Sequence, residues 1–422
     1  MAYLRSGFGP AISLERLVTQ SSVARCVAAG LAVLFSALVS GPLLAQAADT
    51  TKPKPTKWYD KLSLRGYAQI RYNNLFSSND SVECAQCDRS LGPNNGFFLR
   101  RARLVVSGEV HPRLFVYLQP DLTQGIGTDQ MLLQIRDLYG DVYLTAAKTL
   151  RVRIGQSKVP YGWENVQSSQ NRLPFDRDDA LNSGVPNERD LGAMVYWTPT
   201  KVRQLARFLV DSGYKGTGDY GLIGFGVYNG QGGNRAEANG DRHIAGRVSY
   251  PFKFGNQYAE LGGSYYQGIF TIASALRTPG VTGPTDFLDE RFAVSAVLYP
   301  RPLGVQAEWT WGTGPRYSPS ANAIQSDHLE GGYLQLDWRT RIAHRPVTPY
   351  IRGQYYDGGK KAELDARSYL VREVEFGVEW LALDALELTA AWMDSDRTYE
   401  DGLRPDNRQE GSQLRLQAQL NY

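Results

Sequence analysis

Cysteine, methionine and histidine are scarce: the 422 residues hold three, four and four of them. Zinc-built folds need repeated Cys/His ligand pairs, and this chain has too few. Long apolar runs are missing beyond the N-terminus. A helix needs about 20 apolar residues in a row to cross a bilayer. A charged fraction of 21% and a mean hydropathy of −0.37 therefore exclude a polytopic helical membrane protein. Excess charge is missing as well, with a formal net charge of +3, so bulk charge gives no sign of nucleic-acid binding. Long helical periodicity, low-complexity blocks and an internal domain boundary are also absent. What abounds is glycine (43) and tyrosine (25), a composition suited to many short strands and turns.

The N-terminus has the layout of an export signal. Arg5, Arg16 and Arg25 accompany an apolar stretch at 26–44, broken by Gly30, Gly41 and Pro42. Ala45-Gln46-Ala47 then supplies a small-x-small cleavage pattern. Residues 1–47 read as a signal peptide and the mature chain starts at Ala48, with a retained anchor as the other reading. Losing three Arg and one Glu lowers the net charge from +3 to +1. Residues 48–60, with Lys52-Pro53-Lys54-Pro55, read as a short periplasmic tether. In an exported chain Cys84 and Cys87, spaced C-x-x-C, are disulfide candidates. A redox pair and half a zinc site are the other readings.

From 61 to 422 one pattern recurs: about ten residues of period-two alternation, closed by Gly, Pro, Asn or Asp. In the last segment Leu414, Leu416, Ala418, Leu420 and Tyr422 share one face, and Arg415, Gln417, Gln419 and Asn421 share the other. In the first, Leu64, Gly66, Ala68, Ile70 and Tyr72 oppose Arg65, Tyr67, Gln69 and Arg71. In the second, Phe98, Ala102 and Leu104 oppose Arg101 and Arg103, with Arg100 snorkelling from the apolar face to the interface. Strand cores are expected at 63–73, 97–110, 113–122, 131–144, 150–159, 190–197, 221–229, 242–250, 257–266, 290–299, 304–312, 330–340, 347–356, 371–382, 385–394 and 412–422. The fold class is all-β: a transmembrane antiparallel β-barrel of about 16 strands, with 14 or 18 as alternatives. Short and long gaps alternate, except that 198–220 is long where a short turn is due. Either an extended strand or a small element over 203–209 accounts for it. Tyr72, Tyr143, Tyr196, Trp197, Tyr250, Tyr299 and Trp338 near strand ends suit aromatic girdles.

A closed barrel of this size is too wide for its own side chains to fill, so a wet lumen follows. The long gaps at 160–189 and 74–96 are the candidates to fold in and narrow it. Residues 150–165 read LRVRIGQSKVPYGWEN. This resembles a motif of the phosphate-selective porin O and P family. Further pieces match in order: the Arg-rich second strand at 98–104, Asp137-Leu138-Tyr139, Arg189-Asp190-Leu191-Gly192 and Tyr228-Asn229-Gly230. The resemblance covers about residues 60–250.

It implies an outer-membrane porin, commonly a homotrimer, passing small hydrophilic solutes by passive diffusion and in some members preferring anions such as phosphate. Outer-membrane lipid and small anions or other small solutes are then the partners; no cofactor and no metal are called for. The residues with the right parity to line such a pore or bind anions are Arg65, Arg71, Arg101, Arg103, Arg151, Arg153 and Arg247, joined by Lys158. Arginine suits the task because it stays charged and its planar fork matches phosphate oxygens. The plainer reading is that these cations pair with Glu109, Glu308, Glu373, Glu375 or Glu379 across the lumen. Two other functions compete. One is a non-conducting structural or adhesion barrel. The other is a barrel enzyme, for which His328 beside Asp327 is the only rim histidine, so the chain is read as no enzyme.

Overall fold

The structure, a computed structural model, describes residues 57–77, 96–124, 131–184 and 189–422. The expected signal peptide, most of the tether and the Cys84/Cys87 pair lie outside the described residues. Seventeen strand segments follow one another. They are β1 (Leu62–Ser77), β2 (Gly96–His111), β3 (Leu114–Gln124), β4 (Met131–Tyr143), β5 (Leu150–Lys158), β6 (Arg189–Trp197), β7 (Ile223–Tyr228), β8 (His243–Phe254) and β9 (Gln257–Thr271). Then come β10 (Asp286–Leu298), β11 (Leu303–Ser318), β12 (Ala323–Trp338), β13 (Thr340–Ile342), β14 (Arg345–Gly359), β15 (Ser368–Leu383), β16 (Leu386–Glu400) and β17 (Arg408–Asn421). β13 continues β12 into the same hairpin with β14, so the segments make sixteen staves. Every neighbouring pair is antiparallel, and β1 pairs with β17, which closes the barrel. Each of the sixteen expected strand cores falls on one stave.

The connections sort by length because strand direction alternates. Tight turns at 112–113, 255–256, 343–344 and 384–385 gather at one end, the turn end, where β1 begins and β17 stops. Longer connections gather at the opposite loop end. Several are shorter than expected, since β11 and β12 stay paired out to Ser318 and Ala323, inside the expected loop 313–329. Above the apolar belt both faces of a hairpin meet water, so alternation no longer marks the strand there. The exception at the turn end, 198–222, carries a helix, α3 (Thr200–Asp211). Among the described residues no helix is long and apolar enough to cross a membrane.

Period two gives the wall its two faces. Leu64, Ile154, Val248, Leu334, Phe376 and Leu416 point outward and are exposed, an apolar belt that suits hydrocarbon. Trp197, Tyr250 and Trp338 flank it at the turn end as expected. Tyr196 and Tyr299 do not. Both are buried on the inner face, Tyr196 under Arg151 and Arg153, and Tyr299 donating to Glu260 at 2.6 Å. Tyr143, opposite Arg151 in the ladder, also belongs to the inner face.

Arg100 is a further correction. The register between β1 and β2 slips so that Arg101 faces Gln69 while Leu99 faces Ile70, leaving Arg100 as the extra residue of a bulge. A bulge reverses side-chain parity beyond it. Arg100 therefore turns to the lumen, 3.6 Å from Asp176, and Phe97 rather than Phe98 takes the exposed place.

Candidate functional site

The inner face is ionic throughout, and its charges are unevenly spread. Strands β1–β8 contribute buried Arg71, Arg101, Arg103, Arg136, Arg151, Arg153, Lys158, Arg189 and Arg247 against Asp121, Asp137, Asp141 and Asp190. Strands β9–β17 contribute buried Glu260, Asp289, Glu308, Asp337, Glu373, Glu375, Glu379 and Glu387 against Arg291, Arg352, Arg397 and Arg415. The lumen thus has a basic wall and an acidic wall.

The connection after β5 runs between them. It leaves β5 through Gly162, whose φ of +73° and whose Cβ position, 2.4 Å from Leu181, admit glycine alone without strain. A single-turn helix follows, α1 (Trp163–Val166). Its first amides donate to the Glu308 carboxylate on β11, Trp163 N at 2.7 Å and Glu164 N at 2.9 Å. Gly162 N donates to Ser264 on β9 at 3.0 Å. A few residues on, the Ser169 hydroxyl lies 2.7 Å from Tyr67 Oη on β1 and accepts from Arg103 at 2.8 Å. β9 and β1 stand half-way round the barrel from each other. The segment 162–169 therefore crosses the lumen as a bar.

The rest of the loop returns along the acidic wall. Glu164 receives two bonds from Arg352, at 2.7 and 3.1 Å. Asp176 takes Arg415 at 2.5 Å and lies 3.5 Å from Arg71. Asp179, opening the short helix α2 (Asp179–Gly184), takes Lys360 and lies 3.5 Å from Arg397. Burial favours a neutral Asp176, but Arg415, Arg71 and Arg100 outweigh it and hold its carboxyl well below the usual range. Asp178 goes the other way: burial and the nearby Glu164 push it well above that range.

The expected pore residues separate into three sets. Arg71, Arg103, Arg151 and Arg153 are paired. Arg71 donates to Gln417 at 2.7 Å and to Phe175 O at 2.8 Å, and Arg103 meets Asp121 at 2.9 Å. Arg153 makes a two-pronged bond to Asp141 at 2.7 and 2.9 Å, and Arg151 reaches Asp219 at 2.9 Å. Arg101, Arg247 and Lys158 are buried, and among the described residues no carboxylate lies within ion-pair distance of them. Lys158 donates to the Val166 and Gln167 carbonyls, Arg247 to Tyr220 O, and Arg101, 5% exposed, has Arg100, Arg103 and Arg71 as its charged neighbours. Arg65 forms the third set, exposed towards the turn end.

The expected cross-lumen partners were misassigned. Glu109 takes Lys148, Glu308 holds loop amides, Glu373 takes Arg397, and Glu379 takes Lys215. Sequence reasoning also missed Asp121, Asp141, Arg136 and Arg172. Asp141 was findable, because Tyr139, Asp141 and Tyr143 alternate with Leu138, Gly140 and Val142. Arg172 sits in the loop, where no alternation points a side chain. The one rim histidine of the sequence reading, His328, is exposed on the outer side, 3.9 Å from Glu330, and His243 is buried between Tyr228 and Tyr266.

Residues 78–422 match the family model described as "Phosphate-selective porin O and P". No curated protein matches the sequence. Among solved structures, the outer membrane channel DcaP of Acinetobacter baumannii aligns at 14% identity over 86% of this chain and 97% of its own, with a TM-score of 0.51. The anion-selective porin from Comamonas acidovorans aligns at 12% identity over 86% and 99%, with a TM-score of 0.51. Salmonella typhi OmpF in complex with daunomycin aligns at 12% identity over 86% and 98%, with a TM-score of 0.54. At such identities the likeness is one of fold.

Proposed function

The chain belongs to the phosphate-selective porin O and P family, and from that premise we propose that it is an outer-membrane porin for small hydrophilic solutes with a preference for anions such as phosphate. Transport is passive. Solutes diffuse down their gradient, and the width and charge of the lumen filter them. The family match and the Comamonas porin's described anion selectivity support the reading from outside.

One observation within the chain carries it. On the basic wall Arg101, Arg247 and Lys158 are buried cations that, among the described residues, have no carboxylate within ion-pair distance. An anion entering there replaces lost water with charge-assisted hydrogen bonds, which a cation cannot do. The paired residues Arg71, Arg103, Arg151 and Arg153 then serve to line the path and hold its shape. Arg65 serves as an outer collector at the turn end.

The test is single-channel recording of purified protein in planar bilayers. A potassium chloride gradient should give a reversal potential of anion-selective sign. Added phosphate should block chloride current, and less so in Arg101→Gln. A cation-selective reversal potential overturns the anion preference, and a protein that never conducts overturns the pore. Chemical crosslinking in detergent checks the homotrimer that the family leads one to expect.

A further inference from the structure

The long connection at the turn end, 198–222, has no part in the reading above, yet it also crosses the lumen. α3 is amphipathic. Its Leu209 is buried with Tyr258, Val297 and Tyr299 of the wall and with Trp163 of the first bar, and Leu205 and Tyr214 pack against them. Just past the helix, Lys215 Nζ donates to Glu379 on β15 at 2.7 Å and lies 3.4 Å from Glu387 on β16. Four residues later Asp219 receives Arg151 of β5 at 2.9 Å and the Thr198 hydroxyl at 2.8 Å. β5 and β15 stand on nearly opposite sides of the barrel. Four residues span at most about 14 Å, so residues 215–219 and the side chains at each end bridge the lumen. The two bars touch: Gln167 Nε2 donates to Lys215 O at 2.7 Å.

Lys215 also stands among acids. Asp337, Glu379 and Glu387 come from β12, β15 and β16 onto this stretch of inner wall, all buried, and Lys215 is the cation that pairs with Glu379 and Glu387. Without it the turn-end mouth presents three carboxylates to whatever leaves the basic wall. We infer that residues 198–222 form a second filter in series with the loop bar, and that Lys215 determines its selectivity, both latching the bar to β15 and β16 and cancelling the acidic mouth. The inference rests on the pore reading.

The experiment compares conductance and reversal potential in planar bilayers for wild type, K215Q, the double variant E379Q/E387Q, and K215R. Heat-modifiable gel mobility confirms that each barrel folds. K215Q and E379Q/E387Q both lose the latch, so in both the single-channel conductance roughly doubles. Their selectivities move in opposite directions. K215Q shifts the reversal potential towards potassium, and E379Q/E387Q shifts it towards chloride. K215R keeps the bridge and stays near wild type. A loss of packing alone would not give two opposite shifts. If either latch variant conducts as wild type does, the second filter is overturned while the pore stands. If both shift the same way, Lys215 is not the selectivity residue. A wild type that does not conduct sinks the pore reading first, which keeps the two failures apart.

Discussion

The two walls of the lumen satisfy their charges by opposite arithmetic. On the basic wall one acid serves two cations. Asp141 lies 2.7 Å from Arg153 and 3.3 Å from Arg151, and Asp121 lies 2.9 Å from Arg103 and 3.9 Å from Arg136. On the acidic wall, Asp289 with Arg291 and Lys361 aside, one cation serves two acids. Arg397 meets Glu373 at 2.5 Å and Asp179 at 3.5 Å, Arg415 meets Asp176 and Glu375, and Lys215 meets Glu379 and Glu387. The difference lies in what the inserted segments bring. The loop after β5 carries its carboxylates to the acidic wall and saturates the arginines there. It offers the basic wall mostly carbonyls, as at Lys158. A near-neutral chain can thus hold a strongly divided interior, and net charge says nothing of what the pore prefers.

The comparison breaks most visibly if the basic surplus is removed. Arg101→Gln, Arg247→Gln and Lys158→Gln together should abolish the anion preference, and the reversal potential in a salt gradient should fall to zero or change sign. An unchanged potential would mean that the surplus does not face the permeating ion. Next comes the acidic wall's own stability. Arg397→Gln leaves Glu373 buried without its cation while Asp179 keeps Lys360, a loss that costs about 3 kcal/mol in buried networks. Denaturant-induced unfolding in detergent should show a lower midpoint, whereas Arg101→Gln, which strands no acid, should leave the midpoint unchanged or raised.

A smaller effect concerns pH. Asp178 faces Glu164, Glu308 and Arg352, and its carboxyl is held above the usual range by burial and Glu164. The neutral form is therefore the one that the inserted loop favours. Its contribution is complete below the ordinary carboxylate pKa of about 3.9 and is lost as pH rises through the raised value. Current noise from the loop should grow as pH rises across that interval, and Asp178→Asn should flatten the dependence. Noise that falls with rising pH in wild type contradicts this sign. The smallest effect is expected at Arg65. Being exposed and well hydrated, its replacement by Gln should lower conductance at low salt only slightly and leave none of that change at high salt.

The barrel was legible in the residues themselves, because each stave carries its own signal. The alternation of Val374, Phe376 and Val378 with Glu373, Glu375 and Glu379, or of Arg151 and Arg153 with Val152 and Ile154, needs no distant partner to be read. Breakers between such runs mark the turns. Stave number, inner and outer faces and the two barrel ends therefore followed from local pattern. The reading failed where pattern lapses, at the Arg100 bulge, where one extra residue reverses parity, and stayed open over Thr200–Asp211 between an extended strand and the small element that forms, because its helical periodicity is too short to stand out beside strands.

By itself the sequence determined a closed sixteen-stave wall, apolar outside and ionic within, since strand parity and apolar burial act over a few residues. Only the tertiary structure decided which cations are cancelled. Arg352 finds Glu164 across 188 positions of sequence, and Arg415 finds Asp176 across 239. An ion pair requires two side chains to converge within a few ångströms, and it is closure of the barrel and the path of the two bars through it that bring them there.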